Sequence, residues 1–175
     1  RKDRRLAGVY SPFWTFDADS QSRYRGQRGD AYYVTVQDRR TVNGRSESFT
    51  RQERRIRWTP VSGQVARQFN DVVIPASTAL PPAFSEAMKP WDLTALADYD
   101  PAFLSGFQAE GYTVALSDGH AAARLQMAQI IHQDARRSIG GDEQRVDHVE
   151  TRFSAETFKH VLLPIWAAAY RYNGK

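Results

Sequence analysis

The chain has 175 residues, 41% of them hydrophobic and 25% charged, a mix that suits one sizeable globular domain rather than a disordered chain. It has no cysteine, which excludes disulfides and thiolate metal sites. The net charge of +4 is uneven: residues 1–60 hold 14 Lys and Arg against 7 Asp and Glu, and residues 61–175 hold 10 against 13, so the basic part points either to an acidic partner or to a solvated sheet face.

The chain opens on Arg1, not Met, and is expected to be a fragment or a processed form, with no signal-peptide pattern at its start. Residues 31–40 carry Tyr32, Val34 and Val36 at period two, which predicts a half-buried strand. Asn43-Gly44 is a hairpin signal, and RQERRIRW (51–58) is the return strand. A two-residue loop would set Tyr32 opposite Arg55 and Val34 opposite Glu53. A bulged three-residue turn would bring Tyr32 and Val34 to the side of Ile56 and Arg54, and this is the expected form. Arg51, Arg55 and Arg57 then share the other face with Glu53. A third strand is expected over 64–69, after a turn at Pro60 and Gly63.

Residues 78–102 read as a Pro-rich connector, with a short helix at 83–88 and a helical turn after Trp91-Asp92-Leu93, where Asp92 serves as cap. Residues 104–114 lean to strand because of Phe107, Tyr112, Thr113 and Val114. The strongest helix runs from about Asp118 to Ile139, capped by Ser117 or Asp118. Its apolar stripe is read as Leu125, Ala128, Ile131 and Ala135. Arg136 and Arg137 suit the C-terminal end of the dipole, and Gly140 falls where a left-handed residue is wanted. Residues 152–172 read as strands again. Val161 to Trp166 (VLLPIW) echoes Val9 to Trp14 (VYSPFW), hinting at two related β-rich halves, 1–77 and 103–175. The longest apolar run, from Val161 to Tyr170, is broken by Pro164 and is too short to cross a bilayer as a helix. No membrane insertion is expected, and a cytoplasmic location is.

Gly140-Gly141-Asp142-Glu143 matches the core of the diguanylate cyclase signature. In that family the motif sits at the turn of a β-hairpin, whereas here it follows a long helix and continues with Gln144. The stretch is therefore read as a helix terminus and a polar loop, with Asp142, Glu143, Gln144 and Arg145 as a partner-contact loop. Asp17 and Asp19 are candidates for a divalent cation, yet the run fails as an EF-hand loop, with Ser22 and Arg28 where Gly and Glu are required. Pairing with the nearby Arg23, Arg25 and Arg28 is the better expectation. His120 and His132 share a helix but lie twelve residues apart, too far for a joint metal site at helical i, i+4 spacing; His148 and His160 add no ligand pattern. Asp142, Glu143 and His148 could do acid–base chemistry only inside a cleft. There is no phosphate-binding loop, no G-x-S-x-G and no H-E-x-x-H. No catalytic residue, metal ligand or cofactor is assigned. The hairpin pairs arginines for phosphates with rings for base stacking: Arg51, Arg54, Arg55 and Arg57 with Tyr32 and Trp58.

Five stretches carry a resemblance: PFWTFDADSQSRYRGQRGD (12–30), RWTPVSGQVARQFNDVVIPAS (57–77), PWDL (90–93), IGGDEQRV (139–146) and TFKHVLLPIWAAAYRYNGK (157–175). Through them the chain resembles a widespread group of uncharacterised bacterial proteins with an N-terminal zinc ribbon, often labelled primosomal protein N′ or replication factor Y helicase. The resemblance implies that a zinc-binding ribbon lies upstream of Arg1, and that a further strand follows Gly174-Lys175. It also implies that Gly-Gly-Asp recurs after the long helix outside any cyclase. The helicase label does not fit the residues, because a helicase needs an ATP-binding loop and paired motor domains.

The expected architecture is an α+β domain, an antiparallel sheet with one long helix packed on it. The expected role is a non-enzymatic interaction module whose partner is a protein or an assembly. The alternative is nucleic-acid binding through the Arg-rich hairpin, and the third an unrecognised enzyme.

Overall fold

The computed structural model describes residues 5–42, 44–79, 81, 83, 87 and 93–169. The fold is α+β: a four-stranded sheet with one long helix packed against it. Strand β1 (Arg5–Val42) pairs with β2 (Arg45–Pro75), with β4 (Glu143–Ala169) and with the two-residue β3 (Gln108–Ala109). The β1–β3 pairing is parallel, Val9 with Gln108 and Tyr10 with Ala109, so the sheet is mixed rather than purely antiparallel. Helix α1 (Leu116–Ile139) precedes β4. The chain divides into two compact units: unit 1 is Arg1–Asp19, Gln68–Met127 and Phe153–Lys175; unit 2 is Ser20–Arg67 and Ala128–Arg152. Strands β1, β2 and β4 and helix α1 each contribute residues to both.

In unit 2, β1 alternates small and large residues. Ser20, Ser22 and Tyr24 are buried, while Gln21, Arg23 and Arg25 are exposed. The buried hydroxyls are satisfied: Ser20 Oγ donates to the Arg67 carbonyl (3.0 Å), Ser22 meets Thr151 Oγ1 (2.9 Å) and Tyr24 donates to Ser138 Oγ (2.9 Å). Tyr24 packs with Ala135 and Ile139 of the helix, backed by Val61, Val65, Val146 and Val149. In unit 1, Phe16 and Ala18 are buried on one side of β1, with the His120 ring 5.6 Å from that of Phe16. Phe13 points the other way and packs with Val161, Leu163, Val73, Leu93 and Ile165. The V-x-x-P-x-W echo thus places Phe13 of one copy against Val161 of the other.

Several expectations change. Only residues 43 and 44 separate β1 from β2, and Gly44 has φ of 75°, the left-handed backbone that a tight hairpin turn requires. Tyr32 accordingly shares a face with Arg57, whose guanidinium lies 5.3 Å from its ring, and not with Ile56. The bulged turn is not formed. An extra residue enters much later: Tyr24 faces Gly63, yet Ala76 N donates to Pro12 O (2.9 Å), one residue out of step. Asp71, with φ of 54°, lies between these pairs and takes up the difference as a bulge. Pro60 and Gly63 make no turn, so the third strand expected over 64–69 is the continuation of β2. Pro12 is tolerated because it ends this ladder. It offers no N–H to Ala76, and the Ala76 carbonyl accepts from Thr113 (2.9 Å) and Val114 (3.1 Å) instead.

Residues 104–114 are mostly not strand. They follow a 3-10 turn (Pro101–Leu104), opened by Pro101 and capped by the Asp100 carboxylate, and contain only β3. A further 3-10 turn, Leu93–Ala95, occupies the place where a helical turn was expected. Of the short helix at 83–88, residues 83 and 87 are helical, and the others, with Trp91 and Asp92, lie outside the described residues. So do Tyr170 to Lys175, after which the resemblance implies a further strand.

Helix α1 starts at Leu116, so Ser117 and Asp118 fall in its first turn rather than at its cap. Its buried positions are Gly119, Ala123, Met127, Ile131, Ala135 and Ile139, a strict four-residue step. Four residues overshoot one turn by about 40°, so the stripe winds slowly round the helix. Ile131 and Ala135 belong to it. Leu125, 68% exposed, and Ala128 do not. Gly140 has φ of 67° and ends the helix as expected.

Candidate functional site

In unit 2 the helix-to-β4 turn is tied to β1 at Ala31, whose N–H donates to Asp142 Oδ2 (2.7 Å). From there to Arg57 the chain is a basic hairpin, with seven Arg against three acids. Strand alternation splits its arginines between two faces. Arg51, Arg55 and Arg57 share one with Tyr32; Arg54 and Trp58 lie on the other. Most are engaged. Arg51 pairs with Asp38 (3.2 Å) and Glu53 (3.8 Å), and Arg55 with Glu53 (3.4 Å). Arg54 Nη1 donates to Glu143 Oε1 (2.8 Å), a bond that raises the guanidinium pKa further. The two rings are occupied as well: Arg57 lies over Tyr32, and Arg145 over Trp58 at 3.9 Å. The six residues singled out for nucleic acid are thus placed on one hairpin, but not as one open row of cations and free rings.

The Gly-Gly-Asp-Glu turn is knit into unit 2 in the same way. Asp142 N donates to the Gly29 carbonyl (2.9 Å) and its carboxylate accepts from Ala31. Glu143 takes Arg54, Gln144 Nε2 donates to the Gly141 carbonyl (2.8 Å), and Arg145 covers Trp58. Asp142, Glu143 and Arg145 thus tie the turn and the start of β4 to β1 and β2, and Gln144 braces the turn itself.

In unit 1, Asp17 accepts from Asp71 N (2.7 Å) and Thr157 Oγ1 (3.2 Å), and Lys159 lies 3.6 Å from it. Lys159 also donates to Asp71 Oδ1 (3.2 Å), which with Asp17 raises its pKa. Asp17 therefore pairs with a lysine distant in sequence, not with the neighbouring arginines. Among the described residues, no three His, Asp or Glu side chains converge as a metal site would require. Glu156 gathers His120 (2.7 Å) and Arg124 (Nε, 3.1 Å), and Arg124 foremost pulls the carboxyl below its ordinary range.

Unit 1 also holds a feature that the sequence did not announce. Tyr10, Leu96, Tyr99, Phe103, Tyr112 and Leu162 line an open groove of about 360 Å³, with Glu110 and His160 in its wall. Tyr99 is 63% exposed, Phe103 48% and Tyr112 50%. The rings continue as a surface array: Phe107 lies against Tyr10 (5.2 Å) and Trp166 (5.4 Å), and Trp14 against Tyr112 (5.9 Å) and His160 (5.1 Å). The Tyr112 hydroxyl meets the His160 ring nitrogens, and desolvation pushes the imidazole pKa below its usual value. The groove is assembled from β1, β4 and the irregular run 96–112, whose lack of period hid it. The usable signal was composition: that run is too rich in rings and aliphatic residues for a solvated loop.

Among curated proteins, the chain is 22% identical over 177 residues to "Uncharacterized protein YdjG" of Bacillus subtilis (strain 168), an alignment covering 96% of this chain and 46% of YdjG. The chain thus spans less than half the length of that relative. No family model matches the chain, and no solved structure matches it. Among the described residues, no helix is long and apolar enough to cross a membrane.

Proposed function

We propose that the chain is a non-enzymatic interaction module whose partner is a protein, carried in a longer protein together with a zinc ribbon. The aromatic groove of unit 1 is the observation that supports this reading. Exposed rings around a concave, mostly apolar surface lose little by staying ordered and gain by being covered, the usual chemistry of a docking patch. A photo-reactive residue placed at Tyr99 of the full-length protein in cells tests it. Discrete protein adducts are expected there, and their absence would overturn it.

A second reading, nucleic-acid binding, is favoured by one observation. Residues 31–57 alone carry a net +4, the whole net charge of the chain. With Tyr32 and Trp58 already stacked by Arg57 and Arg145, such binding would run through phosphates rather than bases. Fluorescence anisotropy with single- and double-stranded DNA over a salt series decides it. Binding that falls steeply with salt and is lost in the Arg54→Ala/Arg55→Ala variant supports the reading, and no binding at low salt removes it.

A further inference from the structure

We propose that the groove of unit 1 takes a cationic amphipathic peptide segment, with aliphatic or aromatic anchors seated on its rings and Lys or Arg side chains reaching the carboxylates around it. The inference rests on the interaction-module reading and adds the chemistry of the partner. Shape supplies the first half. Leu96, Tyr99, Phe103 and Leu162 line an open concave surface of about 360 Å³. Anchors of matching size bury apolar area there that is otherwise left in water. An amphipathic helix offers such anchors at i, i+3 and i+4 on one face.

Charge supplies the second half. From residue 93 to residue 115 the chain carries Asp98, Asp100 and Glu110 and no Lys or Arg. Glu110 stands in the groove wall, fixed by the Ser11 hydroxyl at 2.8 Å. Asp98 and Asp100 flank Tyr99 in sequence and are exposed. His160, in the same wall between Trp14 and Tyr112, adds no positive charge at neutral pH, because desolvation favours its neutral form. An apolar groove bordered by carboxylates repels acidic peptides and nucleic acid and selects basic ones.

The test uses two labelled peptides of about 18 residues with the same helical Leu pattern, one carrying Lys and the other Glu at the remaining positions, titrated into the whole chain by fluorescence anisotropy. The Leu/Lys peptide is expected to bind about tenfold or more tighter than the Leu/Glu peptide, to weaken with salt, and to lose about tenfold in affinity on Phe103→Ser. Asp98→Asn, at an exposed position where the fold has little at stake, is expected to weaken the Leu/Lys peptide alone, by a few-fold. Equal binding of both peptides, or Leu/Lys binding untouched by both substitutions, would overturn the proposal. So would binding of neither peptide. In each of these cases adducts formed at Tyr99 in cells would leave the docking reading standing, whereas their absence would remove it too. Circular dichroism of Phe103→Ser separates lost contact from lost fold.

Discussion

Single side chains here do their work in pairs that lie far apart in sequence. Asp17 and Lys159, Arg54 and Glu143, and Arg124 and Glu156 are all such pairs, and none could be matched from one strand's pattern alone. This is why Asp17 looked like half of a cation site. His160 gives the most direct prediction at this scale. Its folded pKa lies below the ordinary value because Trp14 and Tyr112 strip it of water. As pH falls below about 6.5, the unfolded chain takes up a proton before the folded one does, so folded stability drops until the folded pKa is passed. The melting temperature should therefore fall between about pH 7.5 and 5.5, and His160→Phe should flatten part of that fall. An unchanged pH profile in the variant would show that the imidazole is not desolvated.

Elements were legible where their period was regular. The hairpin arms and the body of helix α1 follow from alternation and from a run without Pro or internal breaks. Two details were not. The stretch FDADSQSRYRG, rich in Ser and Asp, lacks the look of a strand, yet its buried residues alternate with partly or fully exposed ones, Arg23 and Arg25 facing water. The expected stripe of α1 reaches Leu125 from Ile131 by two steps of three residues, which at about 100° per residue ends about 120° round the helix, whereas the buried positions recur every four. The two positions separate sharply by experiment. Ile131→Ala should cost about 2–5 kcal/mol in denaturant unfolding, and Leu125→Ala should stay within about 0.5 kcal/mol of the parent. Comparable losses at both sites would contradict the observed helix rotation.

At the scale of the whole molecule, the sequence divides its chemistry unevenly. The hairpin 31–57 carries net positive charge but spends much of it on its own carboxylates, whereas the run 93–115 is acidic and exposes rings. The α+β class was readable from the order of elements. The groove was not, because it is built by an irregular run that acquires meaning only once β1 and β4 are placed beside it. The groove, and not the basic hairpin, is the surface we propose for docking of a protein partner. The most direct measurement is site-specific photo-crosslinking in cells, comparing full-length protein carrying the photo-reactive residue at Tyr99, at Arg39 on the hairpin and at Leu125 on the outer side of the helix. Discrete adducts at Tyr99 alone, lost when Phe103→Ser is added, are the predicted result. Adducts concentrated at Arg39, or none at Tyr99, would contradict the account.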